Sequence, residues 1–181
     1  MLTHILIVGQ TLSGKSQLAR RLCGRIRAQC KSIIVYDPTL PAGGPRIAGW
    51  PGLVCTDWAH LERVFWASRG CFVVIDEALD AFSTHKLEAR AMLTRGRHID
   101  PASGGGGHCV CLVSQRHRLL DKTARDQCSS LFAFTVNPKD AQDLADDWNC
   151  PELLRLPQTP PLIYCHVRRH SPALWGRLSF S

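Results

Sequence analysis

The feature that most constrains the fold is a short segment near the amino terminus, flanked by an apolar run and an amphipathic run. Residues 9–16 of this segment fit the pattern G-x-x-x-x-G-K-[ST]. Directly before them, Ile5–Val8 is a branched apolar run that is typical of a buried parallel strand. After them, apolar side chains recur at helical spacing at Leu18, Leu22 and Ile26. The segment is therefore predicted to join a strand to the start of a helix, which is the setting that a phosphate-binding loop requires.

The residue types in this loop suit a nucleotide. Gly9 and Gly14 allow the backbone to bend and to turn its N–H groups toward an anion, and the helix start adds a favourable dipole. Lys15 is predicted to reach the outer phosphates, and the Ser16 hydroxyl to bind Mg²⁺. The alternative is an ordinary strand-to-helix turn with chance glycines, which the flanking strand and helix disfavour. The predicted nucleotide-binding residues are Gly9, Gln10, Thr11, Leu12, Ser13, Gly14, Lys15, Ser16 and Gln17.

A pair of acidic residues follows the most uniformly apolar run of the sequence. Cys71–Ile75 is predicted to be a buried strand, and Asp76 and Glu77 come directly after it. Asp76 is predicted to hold Mg²⁺ through water, opposite Ser16, and Glu77 to act as general base on a water molecule. Taken alone, the pair could be surface acids at a strand end. Together with the loop it favours hydrolysis of a nucleoside triphosphate by water over phosphate transfer to a small acceptor.

A polar amide follows another apolar run. Residues 109–113 are predicted to form a buried strand that leads into Ser114, Gln115 and Arg116. Ligands of open α/β sheets bind at the carboxyl edge of the strands, where Gly9 and Asp76 are also expected. Gln115 is therefore predicted to sense the terminal phosphate or to orient the attacking water. The alternative is a strand-end amide that caps a loop.

The remaining sequence alternates predicted strands with predicted helices. Strands are expected at Ser32–Tyr36, Leu53–Cys55, 130–136, 162–167 and 173–180, and helices at 57–66, 85–94, 119–128 and from Pro138 onward. Within 85–94, the side chains of Leu87, Ala91 and Leu93 are expected to face inward. The alternation predicts an α/β fold with a mainly parallel central sheet flanked by helices. One domain is expected over 1–181, with a core of about 1–150 and an extension, 151–181, that adds one or two edge strands.

Charge and cysteine content narrow the class further. The formal charge of +7, from 22 basic and 15 acidic residues, favours a polyanionic partner. The nine cysteines are scattered and contain no CxxC pair, so they are predicted to be reduced core thiols. A zinc site at Cys109, Cys111 and His108 is the weaker alternative, because the usual ligand spacings are missing.

No apolar run approaches the ~18 residues of a membrane span, and the amino terminus does not have the pattern of a signal peptide, so a cytoplasmic protein is expected.

The second half of the chain carries a family resemblance. The run from Val113 to Cys128, followed by Phe132, the pair Asn137-Pro138 and Asp140, resembles the FtsK–HerA superfamily of DNA-pumping ATPases. The match extends from Ile5 to about Trp148 and implies an additional-strand, RecA-like P-loop NTPase fold. The bare core of this length is similar to the genome-packaging ATPases of membrane-containing icosahedral viruses and phages. Residues 93–98 also lie where that family has an arginine- and glycine-containing segment, although this chain inserts residues 101–107 after it.

The resemblance implies a motor. Identical subunits, commonly six, would form a ring with ATP and Mg²⁺ at their interfaces and double-stranded DNA in the centre. An arginine of one subunit would contact the phosphate bound by its neighbour; Arg95 and Arg97 are the candidates, with Arg116 in reserve. Candidate DNA contacts are Arg116, Arg118 and Lys122. Further partners would be viral capsid or packaging-vertex proteins, with the protein in the host cytoplasm and at the packaging vertex of the virion.

Other interpretations use the same loop. A Zot-type phage assembly or secretion ATPase has a similar arginine-histidine segment, but those proteins are anchored by a transmembrane segment, which this sequence lacks. A small-molecule kinase would need an acceptor pocket and a lid, and would leave Glu77 and Gln115 without a role. A nucleotide-dependent switch would hydrolyse slowly and act on a protein partner.

Overall fold

A computed structural model of the chain describes residues 3–40, 49–99 and 107–179. The strands are β1 (Ile5–Val8), β2 (Ser32–Tyr36), β3 (Leu53–Cys55), β4 (Cys71–Ile75), β5 (Cys109–Ser114), β6 (Ser130–Ala133), β7 (Ile163–Arg168) and β8 (Leu174–Arg177). The α-helices are α1 (Lys15–Ile26), α2 (Trp58–Ala67), α3 (Ala78–Thr84), α4 (Lys86–Arg95), α5 (Lys122–Gln127) and α6 (Pro138–Trp148). Short 3₁₀ segments occupy Arg27–Gln29, Gly96–His98 and Pro151–Gln158.

The strands form a single eight-stranded sheet in the order β3-β2-β4-β5-β1-β6-β7-β8. The pairs from β3 to β6 are parallel, and β7 and β8 are added antiparallel at the β6 edge. The predicted α/β class, with a mainly parallel sheet flanked by helices, is confirmed. β1 lies between β5 and β6, so the loop that follows it starts at the middle of the carboxyl edge of the sheet.

The two faces of the sheet are covered by different helices. Alternate strand residues point to opposite faces, so Leu6 and Val8 of β1 belong to one hydrophobic cluster and Ile5 and Ile7 to the other. The first cluster includes buried residues of α2 to α6, whereas the second is covered by α1. Because both faces are buried, the central strands are continuously apolar, which explains why their sequences show no alternation.

Several element boundaries differ from those predicted. The helix expected at 119–128 begins at Lys122, because the Asp121 side chain accepts a hydrogen bond from the Ala124 N–H and caps it. The strand expected at 130–136 ends at Ala133, where its partner β1 has also ended. Past this point the Thr135 carbonyl instead accepts a hydrogen bond from the Gln10 N–H at 2.9 Å. Strand pairing therefore ends at this position, and the following residues contact the phosphate loop instead.

The inward face predicted for the helix at 85–94 is confirmed for Leu93 but wrong for Leu87, and Ala91 is half-buried. In α4 the buried residues are Ala89, Met92 and Leu93, while Leu87 is 75% exposed. Apolar residues occur on both sides of this helix, so periodicity alone did not decide which side packs. The buried side also leads into Gly96, where a Cβ would lie 2.6 Å from the Cζ of Phe65.

The carboxy-terminal extension packs against the start of the chain. The Leu162 N–H donates to the Ser13 carbonyl at 3.2 Å, and the Leu178 N–H donates to the Leu162 carbonyl at 2.9 Å. The expected strands at 162–167 and 173–180 correspond to β7 and β8, although residue 180 lies outside the described residues, as do 101–106 of the insertion. The phosphate loop is thus supported by a hairpin that is distant in sequence.

All nine cysteines are free, and each is buried except the half-buried Cys30. Burial raises the pKa of the Cys109 and Cys128 thiols to about 12, so these thiols are neutral at physiological pH. Within 3–40, 49–99 and 107–179, no group of three or more Cys, His, Asp or Glu residues is arranged to hold a metal ion. In the same ranges, no helix combines the length and apolar character that crossing a membrane requires.

Candidate nucleotide site

The phosphate loop turns sharply between β1 and α1, and glycine is required at two of its positions. A Cβ on Gly9 would lie 2.7 Å from the Cβ of Phe134 and 2.7 Å from the Oγ of Ser13, too close for any side chain. Gly14 has φ 108° at the start of α1, a conformation that other residues rarely adopt. The loop therefore passes close to the chain after β6 and turns at Gly14 into the start of α1. Such a helix start is an anion-binding geometry.

Lys15 is the buried cation of the site. Its ammonium group donates to the Gln10 carbonyl of the same loop at 2.7 Å, and only 8% of the residue is exposed. Burial lowers the pKa of Lys15, while the nearby carboxylates of Glu77 and Asp76 raise it. The Lys15 ammonium is therefore bonded to an uncharged carbonyl oxygen, that of Gln10. Phosphate oxygens could replace this carbonyl as its partner.

Asp76 is the buried carboxylate of the site and is placed by the end of β4. Burial raises its pKa; the Ser16 hydroxyl lowers it, and the carboxylates of Asp37 and Glu77 raise it. The Asp76 carboxylate and the Ser16 hydroxyl thus lie together at this edge of the sheet. Carboxylate and hydroxyl oxygens are the ligands that Mg²⁺ prefers, and a divalent cation would relieve the repulsion among the acids. Ser16 and Asp76 therefore fit a magnesium site.

Gln115 connects the loop to the acidic pair. Its Nε2 donates to Glu77 Oε1 at 3.1 Å, and its Oε1 accepts a hydrogen bond from the Thr11 hydroxyl at 3.2 Å. Glu77 itself has φ 57° and ψ 48°, a left-handed conformation that costs about 1–2 kcal/mol for a residue with a side chain. The backbone strain and the amide bridge together fix the Glu77 carboxylate beside the phosphate loop.

The segment after β5 is anchored on both sides of Gln115. Ser114 is buried, and its hydroxyl donates to the Arg116 carbonyl at 3.1 Å. His117 is fully buried, with its Nε2 2.8 Å from Oδ2 of Asp147 in α6. Burial lowers the pKa of His117 although Asp147 raises it, so the imidazole is neutral at physiological pH. The orientation of Gln115 is therefore set by tertiary contacts and not by the strand alone.

Asp37 also belongs to this edge, although no role was predicted for it from the sequence. It follows β2, is 5% exposed and accepts hydrogen bonds from Trp50 Nε1 at 3.2 Å and from the Thr39 hydroxyl at 2.6 Å. The Asp76 N–H donates to the carbonyl of Tyr36, the residue before Asp37, at 2.9 Å, and Asp37 raises the pKa of Asp76. An acid directly after a buried parallel strand, the same signal that marked Asp76, could have identified it.

The remaining candidates lie in several places. Gln17 is in the first turn of α1, and Leu12, at φ 63°, is 91% exposed at the tip of the loop. Arg116, Arg118 and Lys122 follow β5 at the carboxyl edge, and Arg118 lies 3.9 Å from Asp143.

Arg95 and Arg97 are not brought to the nucleotide edge. They lie at the end of α4 and directly after it, where the chain approaches the amino end of β5. The Arg97 guanidinium donates to the Gln127 carbonyl at 2.7 Å. Arg97 also lowers the pKa of His4, which burial brings to about 4, and His4 directly precedes β1. Both arginines are thus at the opposite edge of the sheet from Lys15 of the same chain.

Removing the Asp76 charge should stabilise the nucleotide-free protein. Asp76→Asn is expected to raise the melting temperature at pH 7 by about 2–4 °C, the shift for roughly 1 kcal/mol in a chain of this size. The folded-state pKa of Asp76 is raised, so the wild type loses stability as pH rises through that value. The gain should therefore vanish below about pH 3.8, the ordinary value of this carboxyl, where it is protonated in folded and unfolded states alike. Thermal melts between pH 3 and 8 measure it.

Asp80→Asn is the matched control, because Asp80 is exposed in the first turn of α3. It should leave the melting temperature unchanged or lower it slightly, since an acid at a helix start is favourable. A melting temperature of Asp76→Asn at or below that of the wild type at pH 7 would show that the Asp76 charge is already compensated.

Comparison with solved structures identifies the architecture. The genome-packaging NTPase B204 of Sulfolobus turreted icosahedral virus 2, in complex with sulfate, superposes with a TM-score of 0.78 at 17% identity, covering 99% of this chain and 98% of B204. The cytoplasmic domain of the type VII secretion ATPase EccC of Thermomonospora curvata gives 0.69 at 16% identity, over 98% of this chain and 25% of that one. The pCW3 conjugation coupling protein TcpA gives 0.67 at 15% identity, over 97% and 59%.

No protein-family model and no curated protein sequence matches the chain. At these identities the similarity is one of fold. The superposition with B204 extends over nearly the whole chain and therefore includes both the parallel strands and the antiparallel β7–β8 addition. The chain shares its fold with these NTPase and ATPase domains, in agreement with the fold that the sequence resemblance predicted.

Proposed function

We propose that this chain is an ATP-driven double-stranded DNA translocase, acting as a homo-oligomeric ring in the packaging of a viral genome. The single observation that carries the proposal is the hydrogen-bonded bridge from Thr11 through Gln115 to Glu77. It links the phosphate loop, a sensor amide and a general-base candidate at one sheet edge. A protein that only binds nucleotide has no need of this arrangement, whereas a motor must couple the state of the terminal phosphate to movement.

The residues would divide the hydrolysis between them. The loop N–H groups and Lys15 would bind the phosphates, and the Lys15 ammonium would exchange its Gln10 carbonyl for phosphate oxygens. Ser16 and Asp76 would hold Mg²⁺, which supplies charge neutralisation at the phosphate oxygens when it is bound. Glu77 would accept a proton from the attacking water, and Gln115 would respond to the loss of the terminal phosphate through its bond to Thr11.

A ring is supported by where the candidate arginines lie. Arg95 and Arg97 are at the opposite edge of the sheet from Lys15 of the same chain, and the Arg97 guanidinium donates to the Gln127 carbonyl there at 2.7 Å. They are therefore away from the phosphate loop of their own chain, although the transition state of phosphoryl transfer needs added positive charge. An arginine from a second copy would supply it. The candidates remain Arg95 and Arg97, with Arg116 in reserve, and a hexamer is the expected ring.

DNA as the cargo is supported by the formal charge of +7 and by the full-length similarity to B204, which is described as a DNA-packaging ATPase. Contacts to the phosphate backbone without base readout would suit a translocase. As parts of the same proposal, Arg116, Arg118 and Lys122 would contact DNA. Capsid or packaging-vertex proteins would be partners, and the site of action would be the host cytoplasm and the virion vertex.

Protein secretion or phage assembly is the second candidate, and the similarity to the secretion ATPase EccC favours it. It predicts a polypeptide substrate instead of DNA. EccC is matched over only 25% of its length, whereas B204 is matched over 98%. The match over almost the whole of B204 therefore favours the packaging proposal.

The deciding experiment compares the ATPase rate with and without double-stranded DNA, alongside size measurement with a non-hydrolysable ATP analogue. We expect DNA to stimulate turnover and the analogue to assemble the chain into a ring. The stimulation should decline with added salt, because phosphate contacts release counterions. A strictly monomeric protein whose turnover ignores DNA would instead favour the nucleotide switch or the kinase.

A further inference from the structure

The edge of the sheet opposite the nucleotide site carries a row of exposed cations. The amino-edge row consists of Lys31, Arg69, Arg97 and Arg169. Lys31 directly precedes β2, Arg69 comes shortly before β4, and Arg97 lies in the segment between α4 and β5. Arg169 follows β7, which runs antiparallel and so ends at this same edge. All four residues are exposed.

Backbone hydrogen bonds join the members of the row across neighbouring strands. The Lys31 N–H donates to the carbonyl of Gly70, the residue after Arg69, at 2.9 Å. At the other end, the Arg169 N–H donates to the carbonyl of Ser129, just before β6, at 3.2 Å. The row thus crosses the ordered strands β2, β4, β5, β1, β6 and β7. Adjacent strands lie about 4.8 Å apart, so the row extends over roughly 24 Å.

Backbone carbonyls hold the guanidinium groups of this row. Nη1 of Arg69 donates to the carbonyls of Trp66 and Ser68 at 3.0 and 2.7 Å. Nη2 of Arg97 donates to the carbonyl of Gln127 at 2.7 Å. A carbonyl orients a guanidinium without neutralising it, so each arginine keeps its full charge and several free N–H donors.

Arg169 is held in the same way. Its Nε donates to the Cys128 carbonyl at 3.3 Å, and its guanidinium carbon lies 4.9 Å from the ring centre of Trp148. Within the described ranges, none of the four cations of the row forms an ion pair with a carboxylate. The ion pairs that do occur use Lys86, Arg90, Arg118 and Arg125.

Acidic side chains are found toward one end of the row. Asp126 is exposed next to the Gln127 carbonyl that holds Arg97. Asp147 and Glu152 line the hollow that Arg169 also borders. The excess of positive charge is therefore greatest at the β2–β4 end, at Lys31 and Arg69.

We infer that the amino-edge row binds the phosphodiester backbone of double-stranded DNA. The partner class rests on the proposed function; the place on the chain rests on the row itself. Charge complementarity selects a polyanion, and the roughly 24 Å of the row would follow about seven base pairs at 3.4 Å each. Cations oriented by the backbone suit phosphate contacts that carry no sequence information. This surface is distinct from Arg116, Arg118 and Lys122, which lie at the nucleotide edge.

The test uses the full chain without nucleotide and a fluorescent DNA duplex of about 30 base pairs. Lys31→Glu combined with Arg69→Glu should weaken binding about tenfold or more near 100 mM salt, and should reduce the slope of log K against log salt by about two. The matched control is Arg21→Glu combined with Arg63→Glu, which makes the same change of charge at exposed positions of α1 and α2. It should stay within about twofold of the wild type. Basal ATPase activity and melting temperature should be unchanged in both double variants.

Three results would overturn the inference while leaving the proposed function intact. One is DNA-stimulated turnover and DNA affinity in Lys31→Glu/Arg69→Glu equal to those of the wild type. The second is an equal loss of affinity in both double variants, which would show that only net charge matters. The third is a Lys31→Glu/Arg69→Glu variant that no longer binds vesicles of phosphatidylglycerol but still binds DNA as the wild type does. This result would assign the row to a membrane surface and refute the inference. A wild type that neither binds duplex nor responds to it would refute the proposed function as well.

Discussion

Glu77→Gln is expected to bind ATP about as tightly as the wild type but to hydrolyse it roughly 100- to 10,000-fold more slowly, the usual contribution of a general base. The amide has the size of the carboxyl and retains an oxygen that can accept a hydrogen bond from Gln115 Nε2. In the wild type this nitrogen lies 3.1 Å from Glu77 Oε1. It cannot accept a proton from water. The ATP-bound state should therefore accumulate. Single-turnover assays with labelled ATP measure hydrolysis, and titration with a fluorescent ATP analogue measures affinity.

Glu88→Gln is the matched control. Glu88 is an exposed acid of α4, so this substitution removes the same charge at a position away from the site. Its turnover should equal that of the wild type. Normal turnover in Glu77→Gln would remove the general-base assignment. A parallel loss of ATP affinity in that variant would instead show that the Thr11–Gln115–Glu77 bridge is needed to keep the loop open for nucleotide.

The carboxyl edge of the sheet could be predicted from the sequence because local patterns determine it. A buried parallel strand is a continuous apolar run, and the residue after it lies at the carboxyl edge wherever that strand stands in the sheet. This rule placed Asp76 and Gln115 at the same edge as Lys15. Applied evenly, it would also have found Asp37, which follows β2. The central position of β1, by contrast, depends on pairing between distant segments.

Tertiary contacts determine what the sequence patterns left open. The choice of the Ala89, Met92 and Leu93 face of α4 depends on what packs against it, and the exposed Leu87 made the other face equally apolar. Similarly, the bond from the Leu162 N–H to the Ser13 carbonyl joins segments far apart in sequence. The position of Arg97 at the amino edge follows from the direction of α4, which returns from the carboxyl edge.

Lys15→Ala is expected to abolish ATP turnover and to weaken ATP binding about 10- to 150-fold, the effect of losing a charged hydrogen bond of about 1.5–3 kcal/mol. The carboxylates of Glu77 and Asp76 raise the pKa of Lys15, so they stabilise its charged form. Removing the ammonium leaves these acids without a counter-charge beside the incoming phosphates. A saturating nonhydrolysable analogue with Mg²⁺ should raise the wild-type melting temperature, because a ligand present at 100 times its Kd stabilises by about 2.7 kcal/mol. In Lys15→Ala the same concentration should give about half of that shift or less.

Lys139→Ala provides the comparison. Lys139 is exposed in the first turn of α6, so this substitution removes the same charge away from the site. It should keep both the turnover and the full ligand-induced shift. If Lys15→Ala shifted as much as Lys139→Ala, phosphates would not be the partner of the buried ammonium. The Gln10 carbonyl, now 2.7 Å from Lys15 Nζ, would then be its permanent acceptor, and the segment after β1 would be a structural turn.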